Sequence, residues 1–329
     1  MARKRKLNLA LIGAGEWAVD YHLPTIFSDD LKDKLNLCGI WNRTRSKSKR
    51  VAKKWGIPHI YASLDEILQD SEIDAVSVVV NSRAVGRILR RLSRRHLPIL
   101  CEKPPGRDSC EAKKLAALVN PKSVVAFNRR YSPLNQKFKS LVDKLESIQF
   151  VECHFLRRHR EDQKFVTETG VHGINFLEYL LGPIRAVDAE RWFSEEKNNY
   201  NWLARLTFAS GLRGLVKFFP SAGISLESIE VHGDDVSLYL ESEQHFTDTT
   251  KGRITHYRNT RQNKVAKRNV VLNREGGRLT RGGFVGEYLD FFAAVQKRTS
   301  PLSIFENSWT SMRAAEIIEQ GKSGTIQCS

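Results

Sequence analysis

Two residues of this 329-residue chain could move a proton to or from an oxygen: Lys103, in "CEKPPG", and His172, in "ETGVHGINFLEYLLG". An ammonium and an imidazolium both act as general acids, and their conjugate forms act as bases. Lys103 closely follows the apolar run Pro98-Ile99-Leu100-Cys101. If that run is a strand of a parallel sheet, Glu102 and Lys103 lie at its carboxyl edge, where doubly wound folds bind ligands. The Lys103–Pro104 bond can be cis at modest cost, which would aim the lysine in an unusual direction. His172 falls near the start of an amphipathic helix, with Glu168 four residues before it and Asn175 three after. Those offsets share a face where the helix extends that far, and a carboxylate close to the ring would favour its charged form. Each residue also has an ordinary reading, the lysine as a surface residue before a proline and the histidine as part of the helix packing.

A second pattern points to a nucleotide. In "ALIGAGEWAVDYHLP" a short apolar run ends at Gly13, and Gly13, Gly15 and Ala18 stand at the spacing G-x-G-x-x-A. The first glycine permits a tight turn, the second lets backbone approach a pyrophosphate, and the small third residue packs helix on strand. The phosphates would rest on the helix N-terminus, beside Glu16 and Trp17. A strand-turn-helix without a ligand is the plain alternative. The second strand ends "GIWNRTRSKSK", so Asn42 stands where an acid would bond the adenine ribose 2′-hydroxyl. Arg43, Thr44, Arg45, Ser46 and Lys47 follow. A guanidinium binds a phosphate bidentately or stacks on adenine, and a hydroxyl can donate to the same oxygens. This pattern favours NADP(H) over NAD(H), the alternative being an exposed basic loop.

These residues need a scaffold, and the first part of the chain supplies alternating apolar runs and helical patterns. Strand-like "LNLCGIWN", "AVSVVV", "PILC" and "SVVAFN" alternate with helix-like "SKSKRVAKKWG", "LDEILQD", "RAVGRILRRLSRRH" and "CEAKKLAALVN". Such alternation implies βαβ crossovers and a doubly wound parallel sheet ending near residue 128. Beyond it, "SIQFVECHFLRR", "YNWLARLTFA", "LRGLVKFFP", "LESIEVHG" and "DVSLYLES" read as strands of an antiparallel sheet. Helices are expected at "GVHGINFLEYLLG", "GEYLDFFAAVQKR" and "NSWTSMRAAEIIEQG". The basic stretch 250–269 has little apolar periodicity and is expected to be a loop.

Composition sets outer limits. The length suits two domains. No apolar run approaches the roughly 18 residues of a membrane span, and neither a membrane segment nor a signal peptide is expected. Cys38, Cys101, Cys110, Cys153 and Cys328 form no C-x-x-C pair, so no disulfide framework or metal site is expected and a cytoplasmic location fits. The formal charge is +16. Residues 1–122 carry 24 Lys plus Arg against 13 Asp plus Glu, whereas 123–329 carry 29 against 24. Much of the excess lies on the helix where Val85, Ile88, Leu89 and Leu92 mark one face and Arg87, Arg90, Arg91, Arg94 and Arg95 lie elsewhere. A solvated outer face explains this most simply. Nucleic acid is not an expected partner, since no recognition motif accompanies the charge.

Taken in order, "GAGEWAVDYHLP", "CEKPPG", "AFNRRYSP", "GVHGINFLEYLLG" and "GEYLDFFAAVQKRTSPLSIFENSWTSMRAAEII" make the chain resemble the Gfo/Idh/MocA family of sugar and cyclitol dehydrogenases nearly end to end. The resemblance implies an N-terminal Rossmann domain, a doubly wound parallel sheet, and a C-terminal α/β domain with a large open, mostly antiparallel sheet. Residues 1–128 would form the NADP-binding domain and 129–305 the substrate-binding and oligomerisation domain. Residues 306–329 would form a helix packing back on the first domain. The family's E-K-P lysine and G-x-H-x-x-D histidine map onto Lys103 and His172. Glu168 replaces a common Asp, and Asn175 replaces an Asp and cannot ionise. In "VVVNSRAV", Asn81 stands where a proline is usual and Val85 where a histidine is.

The implied function is an NADP(H)-dependent oxidoreductase acting on a sugar, cyclitol or related hydroxy or keto compound. Lys103 and His172, with Glu168, would handle the proton. Gly13, Gly15, Glu16, Trp17, Asn42, Arg43, Thr44, Arg45, Asn81, Glu102 and Lys103 would face the cofactor. Arg129, Arg130, Tyr131 and Asn175 are candidates for contact with a small, possibly anionic substrate, and the first three could equally form a hinge. A homodimer or homotetramer through the C-terminal sheet is expected. The alternative is a catalytically weak dinucleotide-binding regulatory protein of the same fold.

Overall fold

The computed structural model describes residues 5–162, 164–242, 252–259, 265–270, 276–297 and 299–327. The described residues form two compact units, one from Met1–Asn128 with Gly283–Trp309 and one from Arg129–Gly282 with Thr310–Ser329. The chain therefore crosses between units three times. This differs from the expected division at 305/306. The helix Phe284–Lys297 belongs to the first unit, and the terminal segment from Thr310 onward belongs to the second.

The first unit is built on six parallel strands: β1 (Leu7–Ile12), β2 (Leu35–Trp41), β3 (His59–Ile60), β4 (Ala75–Val78), β5 (Ile99–Cys101) and β6 (Val124–Val125). Their order, β3-β2-β1-β4-β5-β6, reverses direction at β1 and β4, which creates the crevice used for ligands in such sheets. β1, β4 and β5 are buried almost throughout, as strands covered on both faces must be. Tyr288 and Phe291 of the helix Phe284–Lys297 are fully buried in the same core as Leu9, Leu11 and Leu100. That core is why the late helix belongs here. The arginine-rich helix Ser82–Leu92 buries Val85, Ile88, Leu89 and Leu92, and its cations are put to structural use. Arg90 pairs with Glu111, Arg91 with Asp65, and Arg95 donates to the carbonyls of Ile67, Asp70 and Ile73.

The second unit carries nine strands among the described residues: β7 (Phe150–Leu156), β8 (Ile184–Ser194), β9 (Asn199–Phe208), β10 (Arg213–Phe219), β11 (Leu226–Gly233), β12 (Val236–Glu241), β13 (Arg253–Asn259), β14 (Val265–Val270) and β15 (Ser323–Thr325). The order is β14-β13-β12-β11-β7-β10-β9-β8-β15, antiparallel except where β7 and β10 run parallel. Alternation sends Val151, Cys153, Phe155, Val216 and Phe218 into the core. Glu152, His154 and Lys217 lie on the opposite face as an ion-paired group. Helix Val171–Leu181 covers the apolar face and is itself buried over most of its length.

Two expectations need correction here. The stretch read as a loop contains β13 and β14, because ladder bonding to β12 holds a strand that has few apolar residues to bury. Residues 250, 251 and 260–264 of that stretch lie outside the described residues. The longest strand, β8, was not anticipated, since five of its eleven residues are polar or charged.

Candidate active site

In the first unit the glycine turn forms around a close approach. Gly13 has φ +117°, and a Cβ there would lie 2.0 Å from the Val79 carbonyl oxygen, so no other residue fits. A Cβ on Gly15 would meet nothing within 4 Å, leaving the open space that a pyrophosphate requires. Glu16 is exposed and Trp17 half-buried at the start of the following helix. Asn42 ties the turn to the basic loop: its Oδ1 accepts from Ala14 N at 3.3 Å and its Nδ2 donates to the Thr44 carbonyl at 3.1 Å. Arg43, Thr44 and Arg45 are exposed at the N-terminus of helix Arg45–Trp55, and the Thr44 side chain makes no capping bond. Asn81, by contrast, is occupied as the cap of helix Ser82–Leu92, accepting from Ala84 N at 3.1 Å.

Lys103 is half-buried at the carboxyl end of β5, with a cis peptide to Pro104. Beside it, Glu102 anchors a buried chain that the sequence reading missed. Glu102 Oε1 accepts from Trp17 Nε1 at 2.8 Å and from His22 Nε2 at 2.9 Å, and its Oε2 accepts from Lys103 N at 3.1 Å. His22 Nδ1 lies 2.9 Å from the Tyr288 hydroxyl, which lies 2.8 Å from Ser77 Oγ. One assignment satisfies this chain throughout: Ser77 donates to Tyr288, Tyr288 to His22, and His22 to Glu102. Burial raises the Glu102 pKa, but His22, Lys103 and Trp17 outweigh that effect and hold the carboxyl below its ordinary range. The chain ends at fully buried Ser77, so it stabilises a charge rather than carrying protons to water.

The spacing hid this network. Trp17 and His22 are five residues apart, which in an α-helix places them about 140° from each other. Here Ala18–His22 is a π-helical segment, whose wider turn brings both side chains onto one carboxylate.

In the second unit His172 and Asn175 are buried on helix Val171–Leu181, whereas Glu168 is exposed in the π-helical segment Val166–Gly170 before it. Asn175 is built into a polar chain. Its Oδ1 accepts from Arg130 Nε at 2.7 Å, its Nδ2 donates to Ser311 Oγ at 3.0 Å, and Ser311 donates to Glu178. Glu178 also accepts from Ile184 N and the Thr310 hydroxyl, while burial pushes its carboxyl up. Arg130 lies over the Tyr179 ring, and Tyr131 is buried. Arg129 makes a two-point pair with Glu227, so the adjacent arginines serve different partners. Among the described residues no group of His, Cys, Asp and Glu could hold a metal ion, and no helix is long and apolar enough to cross a membrane. Cys38, Cys101, Cys110 and Cys153 are free thiols, and Cys328 lies outside the described residues.

Residues 7–129 match the family model GFO_IDH_MocA, described as an oxidoreductase family with an NAD-binding Rossmann fold. The chain is 25% identical to YceM of Salmonella typhimurium, over 95% of this chain and 97% of that protein. It is 22% identical to inositol 2-dehydrogenase of Corynebacterium glutamicum, over 56% of this chain and 57% of that protein. Similarity to the yeast protein YMR315W, at 24% identity, spans 58% of that protein. Among solved structures, levoglucosan dehydrogenase in complex with NADH has a TM-score of 0.82 at 18% identity, covering 99% of this chain and all of the other. UDP-N-acetylglucosamine 3-dehydrogenase from Acidithiobacillus ferrooxidans has a TM-score of 0.79 at 16% identity, covering 97% of this chain and 99% of the other. At these identities the structural likeness establishes the shared fold.

Proposed function

Since residues 7–129 match the Gfo/Idh/MocA oxidoreductase family model, we infer that the chain is an NADP(H)-dependent dehydrogenase or reductase of a sugar, cyclitol or related hydroxy or keto compound. The observation that carries this reading is the glycine turn, open at Gly15, with Lys103 set at the edge of the same sheet beside a fixed carboxylate. When bound, the nicotinamide supplies or accepts the hydride. Gly13, Gly15, Glu16 and Trp17 hold the pyrophosphate end, and Asn81, Glu102 and Lys103 border the nicotinamide end. The NADP preference rests on this chain's own residues: an amide at Asn42 in place of an acid, with Arg43, Thr44 and Arg45 exposed on a helix N-terminus.

Lys103 gives its proton to the substrate oxygen in reduction and takes one in oxidation. His172 orients that oxygen and shares the proton, and Glu168 exchanges it with solvent from the exposed side of the turn. Arg129, Arg130, Tyr131 and Asn175 shape the substrate wall. The sheet face bearing Glu152, His154 and Lys217 takes a second copy of the chain, and a cytoplasmic setting suits the free thiols.

Titration with NADPH and NADH at moderate salt tests the cofactor assignment. NADPH is expected to bind more tightly, and Arg43→Ala to weaken NADPH about tenfold or more while sparing NADH. Equal loss for both cofactors would refute the 2′-phosphate role. Lys103→Ala is expected to cut turnover roughly 10²–10⁴-fold with cofactor affinity intact. Full activity in that variant would remove the lysine from the mechanism.

A further inference from the structure

Arg129, placed above in the substrate wall, belongs to a cluster of charge in the second unit whose other members have no role in that reading. Arg157, immediately after β7, and Arg129 both place their guanidinium groups on the carboxylate of Glu227, near the start of β11. Arg129 alone satisfies that carboxylate at two points, Nη2 to Oε1 at 2.7 Å and Nε to Oε2 at 3.2 Å. Arg157 adds a second cation. Arg129 is 8% exposed, Arg157 7% and Glu227 7%, so the two guanidinium groups and the carboxylate they share are shielded from water. Burial pushes the Arg157 guanidinium below its ordinary value and Arg129 adds to that, against the pull of Glu227. Of the five N–H donors of Arg157, one serves Glu227 and one the Leu156 carbonyl, which leaves three without an acceptor among the described residues.

The cluster sits close to the proposed chemistry. The Arg157 guanidinium lies 4.0 Å from the centroid of the Phe155 ring. The helix backbone rides on the same ring, since a Cβ at Gly173 would lie 2.9 Å from it. His172 precedes that glycine. The loop leaving β7 continues with Arg158, His159 and Arg160, all exposed, and Arg160 is paired with Asp162.

We propose that Arg157, backed by the Arg129–Glu227 pair, receives an anionic group of the substrate, a carboxylate or a phosphate ester on a sugar or cyclitol. A planar fork with spare donors matches the two oxygens of either group. A neutral polyol would bring no negative charge to two buried guanidinium groups that share the carboxylate of Glu227, whereas an anion would. This inference rests on the dehydrogenase reading for the identity of the ligand's carbon skeleton, but not for the anion site itself.

The test is calorimetric titration of the full chain, saturated with NADP+ and at constant ionic strength. The probes are glucose, glucuronate and glucose 6-phosphate, then myo-inositol and its monophosphate. At least one anionic probe is expected to bind roughly 10- to 100-fold more tightly than its neutral counterpart. Arg157→Gln should erase that difference, and Arg157→Lys, which keeps the charge but not the fork, should retain part of it. Arg157→Gln leaves the Arg129–Glu227 pair complete, and an unchanged melting temperature would show that the fold is kept. Preference for glucuronate identifies a carboxylate, and preference for a phosphate ester identifies a phosphate. Equal affinity for neutral and anionic probes, no binding by any anion, or a preference that survives Arg157→Gln would each overturn the proposal. Turnover of neutral compounds without anion preference would overturn it while leaving the dehydrogenase reading intact. Arg157-dependent anion binding with no turnover of any probe would uphold the anion site and count against the dehydrogenase reading.

Discussion

Asn175 occupies a position where an acid would be expected to join a proton relay, and its neighbours account for the amide. The side chain must accept from Arg130 and donate to Ser311, and Ser311 must in turn donate to Glu178. A carboxylate has no proton for Ser311, whose single hydroxyl hydrogen could then serve position 175 or Glu178 but not both. Asn175→Asp is therefore expected to destabilise the second unit by about 1–3 kcal/mol, readable as a lower urea midpoint with unchanged slope. An unchanged midpoint would mean that these groups do not act as a unit. On this reading the missing acid does not weaken catalysis by itself, because the proton partners proposed above are Lys103 and His172.

At the scale of elements, both helices that carry candidate chemistry contain a π-helical segment in their first turns, Ala18–His22 in one and Val166–Gly170 in the other. The second is held from outside by Glu319, whose Oε2 accepts from Thr167 N at 2.8 Å. Burial pushes the Glu319 carboxyl up to about 7 from its ordinary 4.5. The folded chain thus holds this proton more tightly than the unfolded chain does. Its contribution to stability is complete below about pH 4.5 and is lost as pH rises through about 7. Glu319→Gln is expected to flatten that decline, raising stability at pH 8 by at most about 3 kcal/mol and leaving it unchanged near pH 4. Denaturation curves at the two pH values check this, and a parallel decline in the variant would exclude Glu319 as its source.

Most elements were legible because strands buried on both faces and helices with one apolar stripe leave clear patterns. β8, β13 and β14 did not, since their stability comes from ladder bonds to neighbours rather than from apolar periodicity. The site was legible in part for a similar reason. Gly13, Gly15, Lys103 and His172 stand in local motifs, whereas Glu102 meets Tyr288 through His22, and Arg157 meets Glu227 through strand pairing. Contacts between distant segments leave no mark on spacing.

For the whole molecule, the division into units makes a direct test. The first unit needs Tyr288 and Phe291 to complete its core and Tyr288 to hold His22. A fragment ending at residue 128 is expected to expose that core and bind dye like a loosely packed state, whereas the same fragment joined to residues 283–309 should unfold cooperatively. A cooperative transition in the shorter fragment would show that the late helix is dispensable. The basic surplus also looks less like a binding surface at this scale, because Arg90, Arg91, Arg95 and Arg107 all have partners inside the first unit. The interleaved chain has a consequence for biosynthesis. At roughly 5–20 residues per second, the ribosome delivers the sheet of the first unit seconds to tens of seconds before the helix that seals it. During that interval the nascent chain presents an unsealed apolar surface to the cell, so a chaperone has its natural opportunity there, and the first unit begun is completed only after most of the second has been made.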